Sequence, residues 1–226
     1  MNINDLKQPS ALAMRLGVKA LAYGPPGGGK TPISGTAPNP VMCITEPGML
    51  SMRNSPLGKC AWPAFDSKSI DEFFAWFFGS KESKNFDSLV LDSASQMAEI
   101  YIKDAEKNNK HGLKAYGEAN EKVLDILNKL YFMPEKHIYV ICKQEIYNDS
   151  GIMQKRPFFP GKEVPIKAPH LFDAILHVAK VVIPGYGEQT AIRCKPTFDI
   201  MARDRSGNLN DLEPPNLTEL FKKAFT

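Results

Sequence analysis

The chain has 226 residues, with 28 Lys and Arg against 25 Asp and Glu, which gives a formal net charge of +3. That length suits one domain with a substantial core, and 43% hydrophobic with 23% charged residues excludes a disordered chain or a disulfide-stapled miniprotein. No apolar run is as long as a membrane span and no signal-peptide stretch opens the chain, so we expect a cytoplasmic protein without a membrane partner.

Short apolar runs alternate with helical segments in the first two thirds of the chain. Such runs are typical of strands buried on both faces of a parallel sheet. They lie at residues 18–23, 41–45, 89–91 and 138–142. One helix is expected up to Gly79, with Ser69 as its cap and an aromatic stripe facing the core. Another runs from about 113 to 132 and stops at Pro134, so the chain is predicted to be an α/β protein with a mostly parallel central sheet flanked by helices.

The pattern changes after Cys142. Residues 145–169 contain several prolines and glycines and are predicted to form a long loop. Short strands are expected to form a C-terminal β-hairpin region, at 175–183, 191–195 and 198–201. An amphipathic helix within 211–226 is capped near Asn216 or Thr218. We expect residues 1–226 to form a single domain in which 1–17 is an N-terminal extension.

The strongest motif is GPPGGGKT, which fits the phosphate-loop pattern GxxxxGK[ST] in full and directly follows an apolar run. Its residues are Gly24, Pro25, Pro26, Gly27, Gly28, Gly29, Lys30 and Thr31. Glycines let backbone N–H groups converge on phosphate oxygens, and the start of the next helix adds its positive end. Lys30 can bind the β- and γ-phosphates and the Thr31 hydroxyl can bind Mg²⁺, so the motif predicts a phosphate site.

Polar side chains follow three other predicted strands, at the sheet edge where α/β proteins bind ligands. Asp92 follows LVL, and a carboxylate there can hold the Mg²⁺ water shell. Glu46 ends another strand and can polarise an attacking water, while Gln144 can sense the γ-phosphate. The residues alone leave open a solvated cap for Glu46 and a simple loop hydrogen bond for Gln144.

The ordered set GPPGGGKT, CITEPGML, LVLDSAS and VICKQ resembles the ATPase core of RecA-type recombinases. It is most similar to small phage-encoded RecA-like proteins, described as phage nucleotide-binding or ATP-dependent single-strand annealing proteins. The resemblance covers roughly residues 18 to 210 and implies a RecA-like P-loop fold with ATP and Mg²⁺ as cofactors. It implies that Lys30 and Thr31 bind ATP·Mg²⁺ and that Asp92 is the metal-shell carboxylate. Glu46 is then the hydrolytic base, and Gln144 couples the γ-phosphate to DNA.

The resemblance also places the main DNA-contacting segment directly after Gln144. Cations mixed with aromatic rings suit single-stranded DNA, because cations follow phosphates and rings stack on bases. In this segment they are Lys155, Arg156, Phe158, Phe159 and Lys162. The alternative is a disordered loop whose two phenylalanines pack back onto the domain. Residues 103–114 occupy the place of the family's first DNA loop, or form a solvated helix end.

Arg203 and Arg205 stand near the place where such cores reach the ATP of a neighbouring subunit, which implies a homo-oligomer with ATP at subunit interfaces. An exposed turn with an arginine paired to Asp204 is equally compatible with the residues. The resemblance further implies DNA-stimulated ATP hydrolysis and strand annealing or pairing in phage recombination or replication, in the host cytoplasm. Single-stranded DNA and a single-strand DNA-binding protein are the implied partners. A P-loop kinase, another ATPase without DNA activity and a nucleotide-gated scaffold module stay open as alternatives.

Overall fold

The computed structural model describes residues 6–108 and 112–226. The helices are α1 (Pro9–Leu16), α2 (Lys30–Ser34), α3 (Ser67–Gly79), α4 (Ala94–Asn108), α5 (Gly112–Tyr131), α6 (Val164–Lys167) and α7 (Leu217–Ala224). The strands are β1 (Lys19–Tyr23), β2 (Pro40–Ile44), β3 (Ala61–Pro63), β4 (Ser88–Asp92), β5 (His137–Cys142), β6 (Gln144–Asp149), β7 (Ile152–Pro157), β8 (Ala174–Ile183), β9 (Gly187–Arg193), β10 (Arg203–Asp204) and β11 (Leu212–Glu213). In these two ranges, no helix combines the length and the apolar character needed to cross a membrane.

Nine strands of the described residues form one sheet in the order β11-β9-β8-β1-β5-β4-β2-β3, with β10 beside β8. The strands from β8 to β3 in that order are parallel, and β9, β10 and β11 run antiparallel to their neighbours. Tyr23 at the end of β1 pairs with Cys142 of β5, and Ile44 of β2 pairs with Asp92 of β4. The carboxyl ends of these strands therefore meet at one edge, and the predicted mostly parallel α/β fold is confirmed.

Both faces of the sheet are buried, which explains why its central strands are apolar without alternation. On β1, Leu21 and Tyr23 pack in the core shared with α3, α4 and α5. Ala20 and Ala22 face the other core, which is shared with α2 and α7. The sheet therefore lies between two layers of helices, which fix its carboxyl edge from both sides.

Side-chain caps start two of the helices. The Asp66 carboxylate accepts the Ser69 N–H at 2.7 Å, so Asp66 caps α3 and the prediction of Ser69 as the cap was wrong by three positions. Gly79 ends α3 as predicted. Asn216 accepts the Glu219 N–H at 3.1 Å and caps α7, which confirms one of the two predicted positions.

The segment 145–169 is not a long loop. Strands β6 and β7 form an antiparallel hairpin, and α6 follows within the same segment. Its turn has positive φ angles at Ser150 (53°) and Gly151 (94°), as a tight two-residue hairpin turn requires. Residues 198–201 were also predicted wrongly, because they form a turn rather than a strand, with isolated bridges from Ile200 to Lys155 and Thr197.

Candidate nucleotide site

The phosphate loop connects β1 to α2 at the carboxyl edge of the sheet. Three of its glycines have positive φ angles, 159° at Gly24, 74° at Gly27 and 100° at Gly29, which favour glycine. A Cβ atom on Gly29 would also lie 2.8 Å from Cγ2 of Thr190 on β9. The β8–β9 strands therefore pack too closely on this part of the loop to admit a side chain at Gly29.

Lys30, the first residue of α2, holds its ammonium inside the loop. Its Nζ donates to the carbonyls of Gly24 at 2.7 Å and Pro25 at 2.9 Å. Burial lowers the pKa of Lys30, while the charges of Asp92 and Glu46 oppose that shift. The third N–H has no acceptor among the described residues, which leaves a donor for a phosphate oxygen.

Thr31 and Asp92 meet across the edge of the sheet. The Thr31 hydroxyl donates to Oδ2 of Asp92 at 2.6 Å, and Asp92 is 6% exposed. Burial raises the pKa of Asp92, the hydrogen bond from Thr31 lowers it, and the neighbouring charge of Glu46 raises it. A hydroxyl and a carboxylate oxygen in contact are hard oxygen ligands of the kind Mg²⁺ prefers, so the residues present fit that ion.

A cavity of about 470 Å³ opens beside this pair. Its lining brings together the phosphate loop, Asp92 and the two other predicted side chains, Glu46 from the end of β2 and Gln144 from the start of β6. Glu46 is half-buried and lies close enough to Lys30 and Asp92 to influence the pKa of both. The strand ends thus assemble two carboxylates and one amide around a single space.

Gln144 has a partner that the sequence patterns did not single out. Its Oε1 lies 2.9 Å from Nε2 of His177 on β8. His177 is 7% exposed, and its ring centroid lies 5.0 Å from that of Tyr23. Burial lowers the pKa of His177 to about 4, so its ring is neutral at pH 7 and Nε2–H can donate to Gln144. The histidine stands 33 residues from Gln144 and fits no spacing motif, so only the fold reveals the contact.

Two of the three predicted DNA-binding cations lie on the β6–β7 hairpin, and both are ion-paired. Lys155 contacts Asp199 at 2.9 Å, and Arg156 contacts Glu145 on the opposite strand at 2.8 Å. The Arg156 guanidinium also lies 3.6 Å from the centroid of the Tyr147 ring. These pairs rigidify the hairpin, and a phosphate would have to compete with both carboxylates.

The phenylalanines that follow the hairpin differ from the prediction. Phe159 is 2% exposed and belongs to the core next to α4 and α5, so its ring is not available to a base and its assignment to DNA binding was wrong. Phe158 is half-buried, and its carbonyl accepts the Ser95 hydroxyl at 2.6 Å. Lys162 is exposed. Of the candidate first DNA loop, Lys110 and His111 lie outside the described residues.

Arg203 and Arg205 lie at the edge of the sheet opposite the phosphate loop, where β10 pairs with the start of β8. The Arg203 guanidinium donates to the Phe172 carbonyl at 2.6 Å, and its role towards a neighbouring subunit's ATP stays a prediction. Arg205 is exposed and contacts Asp173 at 3.5 Å rather than Asp204. Neither guanidinium faces the nucleotide cavity of its own chain.

The chain is similar to one protein family and to solved structures. A family described as AAA domain matches residues 16–206, a range that includes the phosphate loop, Glu46, Asp92 and Gln144. Among solved structures, a KaiC-like protein from the hyperthermophilic archaeon Pyrococcus horikoshii OT3 is similar over 78% of this chain and 77% of its own, with 11% identity and a TM-score of 0.40. None of the curated proteins compared with this chain matches it.

Proposed function

This chain belongs to the AAA-domain family, and from that premise we propose that it is a P-loop ATPase that binds single-stranded DNA and promotes annealing or pairing of complementary strands. The observation that carries the proposal is the position of Gln144. It lines the nucleotide cavity and is also the first residue of the β6–β7 hairpin, which carries Lys155 and Arg156. The Gln144 side chain can therefore respond to the γ-phosphate and move the hairpin to which we assign DNA binding.

The nucleotide chemistry follows from the side chains around the cavity. Lys30 and the loop amides bind the β- and γ-phosphates, and Thr31 and Asp92 would hold Mg²⁺, which supplies charge neutralisation when bound. The Glu46 carboxylate lies on the same cavity without a hydrogen-bond partner among the described residues, so it can accept a proton from the attacking water. We assign it as the general base.

DNA binding would use the cations of the hairpin and the exposed Lys162 that follows it. Contact with DNA would exchange the carboxylates on Lys155 and Arg156 for backbone phosphates, with release of counterions. Because Gln144 starts β6, loss of the γ-phosphate would release its amide and loosen the hairpin. ATP binding would then favour the DNA-bound state and hydrolysis would reverse it.

Assembly completes the proposal. We assign ATP to the interfaces of a homo-oligomer, with the exposed Arg205 as the arginine available to a neighbouring subunit. The setting that the sequence resemblance implies is phage recombination or replication, with a single-strand DNA-binding protein as a further partner.

The rate of phosphate release with and without an oligothymidylate tests this function. We expect single-stranded DNA to increase the rate of ATP hydrolysis several-fold, since DNA contacts would hold the hairpin in the position that keeps Gln144 at the nucleotide cavity. A P-loop kinase would respond to its acceptor instead, and a scaffold module would show no turnover. A rate that single-stranded DNA leaves unchanged would contradict the proposal.

A further inference from the structure

A second cavity, of about 350 Å³, lies next to the nucleotide cavity and includes Gln144 and Pro25 of the phosphate loop in its lining. It is enclosed by the base of the β6–β7 hairpin and by strands β8 and β9. Gln144 lines both spaces, so the two cavities share one wall. The second cavity has basic residues in its lining, Lys155, Lys180 and Arg193, together with His177, and no Asp or Glu.

Arg193 supplies the positive charge of this cavity. It pairs in register with His177 of β8 and with Leu212 of β11, so the three residues share one face of the sheet. Lys155 already contacts Asp199, and Lys180 pairs with Glu188 at 3.0 Å. Within the described ranges, the half-buried Arg193 guanidinium has no hydrogen-bond or ion-pair partner. An unpaired guanidinium with reduced hydration is a strong binder of a phosphate group.

The charge around His177 fits an anion as well. The groups that act on its ring are Lys155 on β7, Arg193 on β9, Lys30 on α2 and the single carboxylate of Asp199. Burial, together with three cations against one anion, lowers the pKa of His177 and keeps the ring neutral. An anion bound in the cavity would reverse part of that effect and raise the pKa of His177.

Arg193 and the contact of β9 with the phosphate loop lie on opposite faces of that strand, while Pro25 of the loop also lines the cavity. Thr190 contacts the phosphate loop at Gly29, and strand alternation puts Thr190 and Arg193 on opposite faces of β9. Arg193 therefore faces the side on which the β6–β7 hairpin stands.

We propose that this cavity is a second phosphate-binding site, in which Arg193 binds a backbone phosphate of single-stranded DNA. The proposal rests on the DNA binding proposed above and adds an anchor that lies outside the hairpin. Gln144 lines both cavities and contacts His177. Its amide can therefore respond both to a phosphate at Arg193 and to the γ-phosphate at the loop.

Arg193→Gln tests the anchor, with Lys195→Gln as a matched control. Lys195 lies two residues further along the chain and is half exposed, and both changes remove one positive charge. The affinity for a fluorescent 20-residue oligothymidylate is measured by anisotropy with ATP·Mg²⁺ over a series of salt concentrations. We expect Arg193→Gln to weaken binding roughly ten-fold and to reduce the slope of log affinity against log salt by about 0.7, the value for one phosphate contact on a single strand. Lys195→Gln should change the affinity less than about two-fold.

A second measurement needs no variant. The imidazole signals of His177 in the wild-type chain are followed by NMR against pH, without anions, with inorganic phosphate and with the oligothymidylate. We expect both ligands to raise the pKa of His177 from its value of about 4. This readout supports the site even if Arg193→Gln fails to fold.

Several results would overturn the proposal. Equal DNA affinities of the two variants would remove Arg193 as an anchor. A response of His177 to phosphate but not to DNA would make the ligand a free phosphate, and loss of ATP hydrolysis with unchanged DNA affinity would place a neighbour's nucleotide at Arg193. Failure of the wild-type chain to bind the oligothymidylate would contradict the proposed function itself, which separates the two failures.

Discussion

Replacement of Asp92 by Asn separates the role of this side chain in binding from its role in folding. Asn has nearly the same shape, and its carbonyl oxygen can still accept the Thr31 hydroxyl that now lies 2.6 Å from Oδ2. What the change removes is a negative charge that is only 6% exposed. Since buried functional charges commonly lower stability, we expect Asp92→Asn to increase the free energy of unfolding by about 1 kcal/mol at pH 7.

The pH dependence of this gain has a definite sign. Burial is the main cause of the raised pKa of Asp92, so the folded chain holds the proton on this group more tightly than the unfolded chain. Above the pKa of Asp92 in the folded chain, burial of its charge therefore lowers the free energy of unfolding by its full cost. That cost disappears as the pH falls through this pKa towards the lower pKa of the unfolded chain. The difference in stability between Asp92→Asn and wild type should be largest at neutral pH and should shrink in acid.

Activity should change in the opposite direction. Loss of the carboxylate removes a ligand from the Mg²⁺ site, and we expect ATP hydrolysis to fall by about 100-fold. Urea denaturation over a pH series and a phosphate-release assay measure the two effects. Asp125→Asn is the control, because Asp125 is an exposed carboxylate paired with Lys129 far from the cavity. An Asp92→Asn variant that is less stable than wild type at neutral pH, or that hydrolyses ATP at the wild-type rate, would refute the reasoning.

Two other variants test the remaining assignments. Glu46→Gln should keep nucleotide binding and lower the rate of phosphate release by at least about 100-fold, as expected for loss of a general base; a measurable rate that does not change would oppose the assignment. Phe159→Ala should lower the free energy of unfolding by about 3–5 kcal/mol because the ring is 2% exposed, whereas Phe198→Ala, at an 83% exposed position, should cost less than about 0.5 kcal/mol. Urea denaturation measures both, and a stable Phe159→Ala variant that has lost only DNA affinity would restore the base-stacking role.

The central strands could be predicted because burial on both faces requires a continuous run of apolar residues, which is visible in the sequence. Each run of apolar residues became a strand of the sheet, and the polar residue after it reached the carboxyl edge, as Asp92 and Gln144 show. The phosphate loop could be predicted for a different reason, since its glycines are required by local backbone geometry and close contacts.

The β6–β7 hairpin could not be predicted in the same way, because its strands are not buried. Ile146 is 59% exposed and Met153 is 55% exposed, so no buried stripe marks the period of the strands. Its pairing is instead supported by cross-strand contacts such as that between Arg156 and Glu145. Phe159 was misassigned because the local sequence, an aromatic residue among cations, is the same whether the ring points outward or into the core.

The contacts around Gln144 depend on chain topology rather than on local sequence. His177 reaches Gln144 only because β8 lies directly beside β1 while β5, which leads into β6, lies on the other side of β1. Arg193 reaches the same place through the antiparallel pairing of β9 with β8. Such neighbours are set by strand order, which the apolar runs do not encode.

Retention of a labelled oligothymidylate with and without ATP·Mg²⁺, by wild type and by Lys30→Ala, tests the central claim most directly. The variant lacks the ammonium that the loop carbonyls of Gly24 and Pro25 now hold beside the cavity. We expect ATP to increase DNA retention by wild type and Lys30→Ala to show no such increase. Undiminished ATP-dependent retention by Lys30→Ala would contradict this claim.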